Sequence, residues 1–257
     1  MPLTGPDIIL YEKRENYCVI TLNRPERLNA ISVETGERMY EIESDFANDP
    51  NMRVAIYTGA GDRSFSAGMD LIDFAERAAR GEQRRGAARP PIVHWKPTIA
   101  AVNGLAYGGG CERALSCDIR IAADHVKFAL PEVKRGLIPG SGVYTMPRTI
   151  GPGIAMWMCL TGEPIDAQEA WRIGLVTKVV PKEQLMEAAI ETAQIIAANG
   201  PLGVQAAKQI VKQGMEVPIE YAMAIGRPLM DVVFNSEDAK EGATAFREKR
   251  TPTWKGR

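Results

Sequence analysis

The stretch Lys96-Pro-Thr-Ile-Ala-Ala-Val-Asn-Gly-Leu-Ala-Tyr-Gly-Gly-Gly-Cys-Glu112 decides how the rest of the chain is read. Its segment 98–102 is short and apolar, the composition of a buried strand. Asn103-Gly104 turns the chain, and Gly108-Gly109-Gly110 delivers it to a helical stretch over 111–116. Glycines permit unusual backbone angles and let a ligand approach the main chain. At a helix start they leave N–H groups unpaired at the positive end of the helix dipole, a setting suited to a developing oxyanion. Arg113 occupies what would be the last glycine of G-x-G-x-x-G, and no Gly-Lys-Ser/Thr occurs, so neither nucleotide-binding fingerprint is present.

Working outward, a second loop of the same kind, Ser64-Phe65-Ser66-Ala67-Gly68-Met69-Asp70, follows a strand over 54–58. Each of these two turns is able to lend one N–H donor to a shared hole, and Asp70 is placed to cap the next helix. Segments 8–11 and 17–22 read as a β-hairpin, 33–48 as an amphipathic helix through Met39, Ile42 and Phe46, and 117–123 and 126–130 as further strands. Beyond Gly151 the pattern becomes helical, over 166–173, 182–198, 202–213, 218–234 and 236–249. Strands and helices in alternation predict an α/β fold with a parallel or superhelical core. No low-complexity linker divides the 257 residues, so we expect a core over 1–198 and a helical region over 199–257 that docks on it or on a neighbouring subunit.

Composition excludes more than it assigns. Thirty-one Lys and Arg against 32 Asp and Glu, a net charge of −1, argue against a protein built to neutralise nucleic-acid phosphates. Two excesses lie inside that balance: residues 76–96 and 247–257 each carry +4, leaving −9 for the remainder. They are either solvated faces or aids in holding an anionic ligand. Two histidines, His94 and His125, and four cysteines with no C-x-x-C pair leave no metal-site pattern. Asn103, Glu112 and Asn199 interrupt the longest apolar runs, and the N-terminal residues carry no basic, then apolar, leader; the expectation is a cytoplasmic protein without membrane or nucleic-acid partners.

The remaining chemistry rests on carboxylates. Ser66 and Ser141 are outside any G-x-S-x-G elbow. Glu112 follows the glycines directly, and Glu132 follows Pro131 at the end of a short strand. A carboxyl in apolar surroundings has its pKa raised toward the range useful for proton transfer. Two of them around one water are able to take a proton on one side and deliver one on the other; the alternative is that each is an ordinary surface glutamate.

At this point the chain resembles the crotonase superfamily and, within it, the enoyl-CoA hydratase/isomerase family. The matching segments are Leu22-Asn-Arg-Pro-Glu-Arg-Leu-Asn-Ala30, Phe65-Ser-Ala-Gly-Met-Asp70, the 96–104 strand and turn, Gly108-Gly-Gly-Cys-Glu112, Cys117-Asp118, Leu130-Pro-Glu132, Gly136-Leu-Ile-Pro-Gly140, Leu160-Thr-Gly162, Ala170-Trp-Arg-Ile-Gly-Leu-Val176 and Phe246-Arg-Glu-Lys-Arg250. The resemblance implies β-β-α turns wound into a superhelix, with a helical C-terminal region used for trimers or hexamers. It implies an acyl-CoA thioester as substrate, with no tightly bound cofactor or metal. Its carbonyl oxygen would meet the backbone N–H groups of Met69 and Gly109. Glu112 and Glu132 would be the catalytic pair that adds water across a 2,3-enoyl thioester. Arg27, Ala67, Met69 and Lys249 would hold coenzyme A. Arg113 departs from the family, in which an apolar residue usually follows the first glutamate. Other readings under the same resemblance are a 3,2-enoyl-CoA isomerase or a carnitinyl-CoA type dehydratase. An RNA-binding homologue has only the basic stretch 76–96 in its favour.

Overall fold

The computed structural model describes residues 7–82 and 92–257. Residues 83–91 of the basic run expected over 76–96, and the N-terminal residues 1–6, lie outside the described residues. The chain opens with the antiparallel hairpin β1 (Ile9–Lys13) and β2 (Tyr17–Leu22), then helix α1 (Val33–Asn48). Ser32 caps α1 by accepting from Thr35 N, and Met39, Ile42 and Phe46 bury its inner face.

A unit of two strands and a helix then repeats. In the first turn, β3 (Val54–Gly59) and β4 (Ser64–Ser66) lead to α2 (Leu71–Ala79). In the second, β5 (Thr98–Val102) and β6 (Leu105–Tyr107) lead to α3 (Gly109–Ser116). In the third, β7 (Ile119–Ala123) and β8 (Lys127–Ala129) lead through a 3-10 turn (Pro131–Arg135) to α4 (Gly142–Ile150). Each turn adds one strand to each of two sheets, which is the superhelix the motifs imply. Then follow α5 (Pro152–Thr161), β9 (Ile165–Asp166), α6 (Ala167–Arg172), β10 (Lys178–Val180) and α7 (Leu185–Ala197). The larger sheet runs β1-β2-β3-β5-β7-β10, parallel from β2 onward; the smaller runs β4-β6-β8-β9. Every residue of β3 and β5 is buried, as expected for central parallel strands covered on both faces.

Buried amides tie the turns of the spiral together. Asn103 Nδ2 donates to Gly59 O and Gly61 O, each at 2.8 Å, while its Oδ1 accepts from Gly59 N at 3.0 Å. Asn29, at φ +54°, donates to Ala60 O and Ser64 O. These bonds fix where each strand leaves its sheet, and so where the following loop points. The C-terminal region is helical: α8 (Pro201–Gly214), α9 (Ile219–Phe234) and α10 (Glu237–Glu248). Lys208 of α8 pins it to the core through Asp118, at 2.8 Å, and Lys96 O, at 2.7 Å.

Most segments follow the sequence reading, with differences at the ends. The strand expected at 117 begins at Ile119, because Cys117 caps the preceding helix. Helix α3 begins at Gly109 rather than 111. Helices α4 and α5 had no counterpart in the sequence reading: Gly142, Pro147, Pro152 and Gly153 argue locally for loop, and packing overrides them.

Candidate active site

The two glycine loops meet. A Cβ placed on Gly68 would lie 2.8 Å from Gly109 N, and one on Gly109 would lie 3.6 Å from Met69 N, so the two expected donors lie on abutting backbone. Their direction follows from the hydrogen bonds around them. Ile31 N donates to Gly68 O at 2.7 Å and Asp70 N donates to Ile31 O at 3.0 Å, a parallel bridge that turns the intervening Met69 N–H to the other side. Gly109 is the first residue of α3, where an N–H has no intrahelical partner. Gly68, at φ +87°, and Gly108, at φ +53°, both need the left-handed region that side chains disfavour.

Both donors line a cavity of about 720 Å³ whose walls also include Glu112 and Ser141. Glu112 is oriented by a residue the sequence reading missed: Gly142 N, the first of α4, donates to Glu112 Oε1 at 2.7 Å. The carboxylate lies over the bare backbone of Gly140 and Gly142, where added Cβ atoms would come within 3.5 and 3.2 Å of it. The signal was present in the motif ending at Gly140, but not its connection to Glu112.

Glu132 lies in the 3-10 turn after β8, with its Oε1 only 2.9 Å from where a Cβ of Gly108 would be. It is not among the residues that line the cavity, and its carboxyl lies against Gly108, the residue before the Gly109 donor. Its Oε2 is buried with no hydrogen-bond partner among the described residues. Burial pushes the Glu132 carboxyl above the usual carboxylate range, and the nearby negative charge of Glu112 adds to the rise. Such a carboxyl keeps its proton to higher pH than a solvated one.

Arg113 does not turn toward Glu112. Its Nη1 donates to Glu43 Oε1 at 2.5 Å, and its guanidinium carbon is 5.6 Å from the Tyr57 ring centroid. Asp70 caps α2 as expected, accepting from Ile72 N and Asp73 N, and pairs with Arg24 at 3.0 Å. Burial alone would raise the Asp70 carboxyl, but the Asp73 N–H and Arg24 outweigh it and hold it below the usual range.

Of the residues expected to hold coenzyme A, Ala67 and Met69 lie on the loop leading into the cavity, and Ala67 N is tied to Leu28 O at 2.9 Å. Arg27 lines a groove adjoining the cavity, which shares Ser32, Asp70 and Arg77 with it. Lys249 caps α10 at φ +55° and lines neither the cavity nor this groove. Within one chain, Met69, Gly109 and Glu112 share the cavity, Glu132 lies against the neighbouring Gly108, Arg27 lines the adjoining groove, and Lys249 lines neither.

A family model described as enoyl-CoA hydratase/isomerase matches residues 12–257. The chain belongs to the enoyl-CoA hydratase/isomerase family. It is 40% identical over 248 residues to a crotonyl-CoA hydratase from Syntrophomonas wolfei, covering 94% of this chain and 95% of that one. It is 44% identical over 251 residues to a carnitinyl-CoA dehydratase from Escherichia coli K12, covering 93% and 94%. A crystal structure of an enoyl-CoA hydratase from Mycobacterium tuberculosis H37Rv superposes with a TM-score of 0.90 at 39% identity, covering 97% of this chain and 99% of that one. The fold is thus that of the crotonase superfamily, with a helical C-terminal region. Among the described residues no helix is long and apolar enough to cross a membrane.

Proposed function

We propose that this enoyl-CoA hydratase adds water syn across a 2,3-trans-enoyl-CoA thioester, with Glu112 and Glu132 as its acid–base pair. The observation that carries the assignment is the unlike environment of the two glutamates. Glu112 accepts one N–H and faces the cavity, so it orients and deprotonates the water that attacks C3. Glu132, buried with an unpartnered oxygen and a raised pKa, holds the proton that goes to C2. Pairs of carboxyls pushed apart in this way divide base and acid roles. The Met69 and Gly109 N–H groups hold the thioester oxygen as it gains enolate charge, each such donor contributing ~10²–10³ in rate. Loss of the enoyl absorbance of crotonyl-CoA tests the activity directly.

The electrostatic link between the two carboxyls has its own test. In Glu112→Gln one neighbouring negative charge is gone, so the Glu132 carboxyl titrates at lower pH than in the wild type. Titration followed by carbon NMR with labelled glutamate reads this without requiring turnover; an unmoved Glu132 resonance sinks the coupling. The sign for catalysis follows: the acid form is present below the raised pKa, and hydration declines as pH rises through it.

For coenzyme A, Arg27 and the 67–69 main chain lie beside the cavity, and Lys249 is assigned to the phosphates from a neighbouring subunit. An oligomer is favoured by the apolar side chains that the C-terminal helices leave exposed, Phe234 at 74% and Phe246 at 89%. We assign a trimer or a pair of trimers. Lys249→Ala is expected to weaken coenzyme A binding by about fivefold, the value of one exposed ion pair; calorimetry on the assembled protein checks it, and an unchanged Kd removes Lys249 from the site. Four cysteines free of disulfides support a reducing, cytoplasmic setting.

A further inference from the structure

The cavity has an end that the acid–base pair does not use. On α3, Gly109, Glu112, Arg113 and Ser116 fall at i, i+3, i+4 and i+7, and all four line the cavity. On α1, Val33, Gly36, Glu37 and Tyr40 do the same. Two contacts orient these helices. Near the start of α1, Ile31 bridges to Met69. About 15 Å farther along it, Glu43 receives Arg113. With a thioester oxygen at Gly109 and its C3 beside Glu112, the next cavity-lining positions along the same face of α3 are Arg113 and Ser116, and Tyr40 lines the cavity from α1. This placement rests on the hydratase reading above.

That end is not the apolar lining a fatty chain requires. Tyr57, 4% exposed, donates its hydroxyl to Glu43 Oε1 at 3.1 Å, and the same oxygen receives Arg113 Nη1. Tyr57 thus fixes Glu43, and Glu43 fixes the guanidinium. The Arg113 side chain stays 27% exposed, and its other N–H donors have no partner among the described residues. Two of the other acids around the cavity are engaged: Asp73 Oδ2 accepts from Val33 N at 3.4 Å, and Glu82 pairs with Arg77 and Arg80. Glu37 lies on an exposed turn of α1.

We propose that Arg113 is a specificity-determining residue that binds a carboxylate at the far end of a short acyl group, so that the preferred substrates are CoA thioesters of unsaturated dicarboxylic acids. A guanidinium held on one edge presents the other as a planar fork, which a carboxylate matches with two parallel hydrogen bonds.

The test separates binding from turnover. Calorimetry compares butyryl-CoA, its carboxylated counterpart glutaryl-CoA, and the corresponding trimethylammonium thioester; kinetics compares the matching crotonyl, glutaconyl and trimethylammonium enoyl thioesters. Glutaryl-CoA is expected to bind about tenfold tighter than the other two, and glutaconyl-CoA to have the highest kcat/KM through a lower KM. In Arg113→Leu both preferences fall by about tenfold. The double variant E43L/R113L, which leaves no unpaired carboxylate behind, shows the same loss. Preference for the neutral or the cationic thioester overturns the proposal, as does a preference that survives in both variants. If no enoyl thioester is hydrated, the hydratase reading falls, while the binding comparison still decides the role of Arg113.

Discussion

Glu132→Gln is expected to lower the hydration of crotonyl-CoA by ~10²–10⁴-fold, the range that a positioned acid or base contributes. The amide keeps the size of the carboxyl and still fits against Gly108, so packing is preserved. What it lacks is a proton to deliver to C2. Because Oε2 has no partner among the described residues, the substitution breaks no internal hydrogen bond there, and the protein should melt where the wild type does. Coenzyme A affinity should hold as well, since Glu132 is not among the residues assigned to coenzyme A. Glu112→Gln is expected to be similarly slow for a different reason: the amide still accepts from Gly142 N but takes no proton from water. Turnover within a few-fold of wild type in either variant would end the acid–base assignment.

Gly110→Ala is the second large effect, and it acts through packing. A methyl group at Gly110 would have to occupy space 2.1 Å from Ser66 O, which is backbone and unable to swing aside. Either α3 moves off β4 or the protein is destabilised; overpacking of this kind costs about 1–3 kcal/mol, and a backbone clash belongs at the top of that range. At about 2–4 °C per kcal/mol for a chain of this size, Tm should drop by roughly 6–12 °C. Activity should fall further than stability, because the same displacement separates the Met69 and Gly109 donors. Gly203→Ala is the control: nothing lies within 4 Å of its Cβ position in α8, and the change should be neutral or slightly stabilising. Equal melting temperatures for Gly110→Ala and Gly203→Ala would show that the Ser66 contact is not a tight one.

Much of the fold was legible because its elements carry their own local signals. Helix α1 matches its expected bounds, since Ser32 caps it and its apolar positions recur at helical spacing. The hairpin of β1 and β2 and the buried strands β3 and β5 were equally plain from β-branched runs ended by turn residues. Helices α4 and α5 were not, because glycine and proline speak locally for loop while burial of Met146 and Met158 speaks for helix. That second voice exists only once the chain has folded.

The site divides along the same line. The sequence by itself determined which groups are available: Glu112 after three glycines, Glu132 after a proline, and two small-residue loops with N–H groups to spare. These are properties of residue type and order over a few positions. Tertiary structure alone decided how those groups differ and what surrounds them. It placed Gly142 N on Glu112, left an oxygen of Glu132 unpartnered, and held Arg113 on Glu43 at the far end of the cavity. Hydrogen bonds, desolvation and ion pairing act over distances of a few ångströms in space, and those distances separate residues that are 30 and 70 positions apart in the chain.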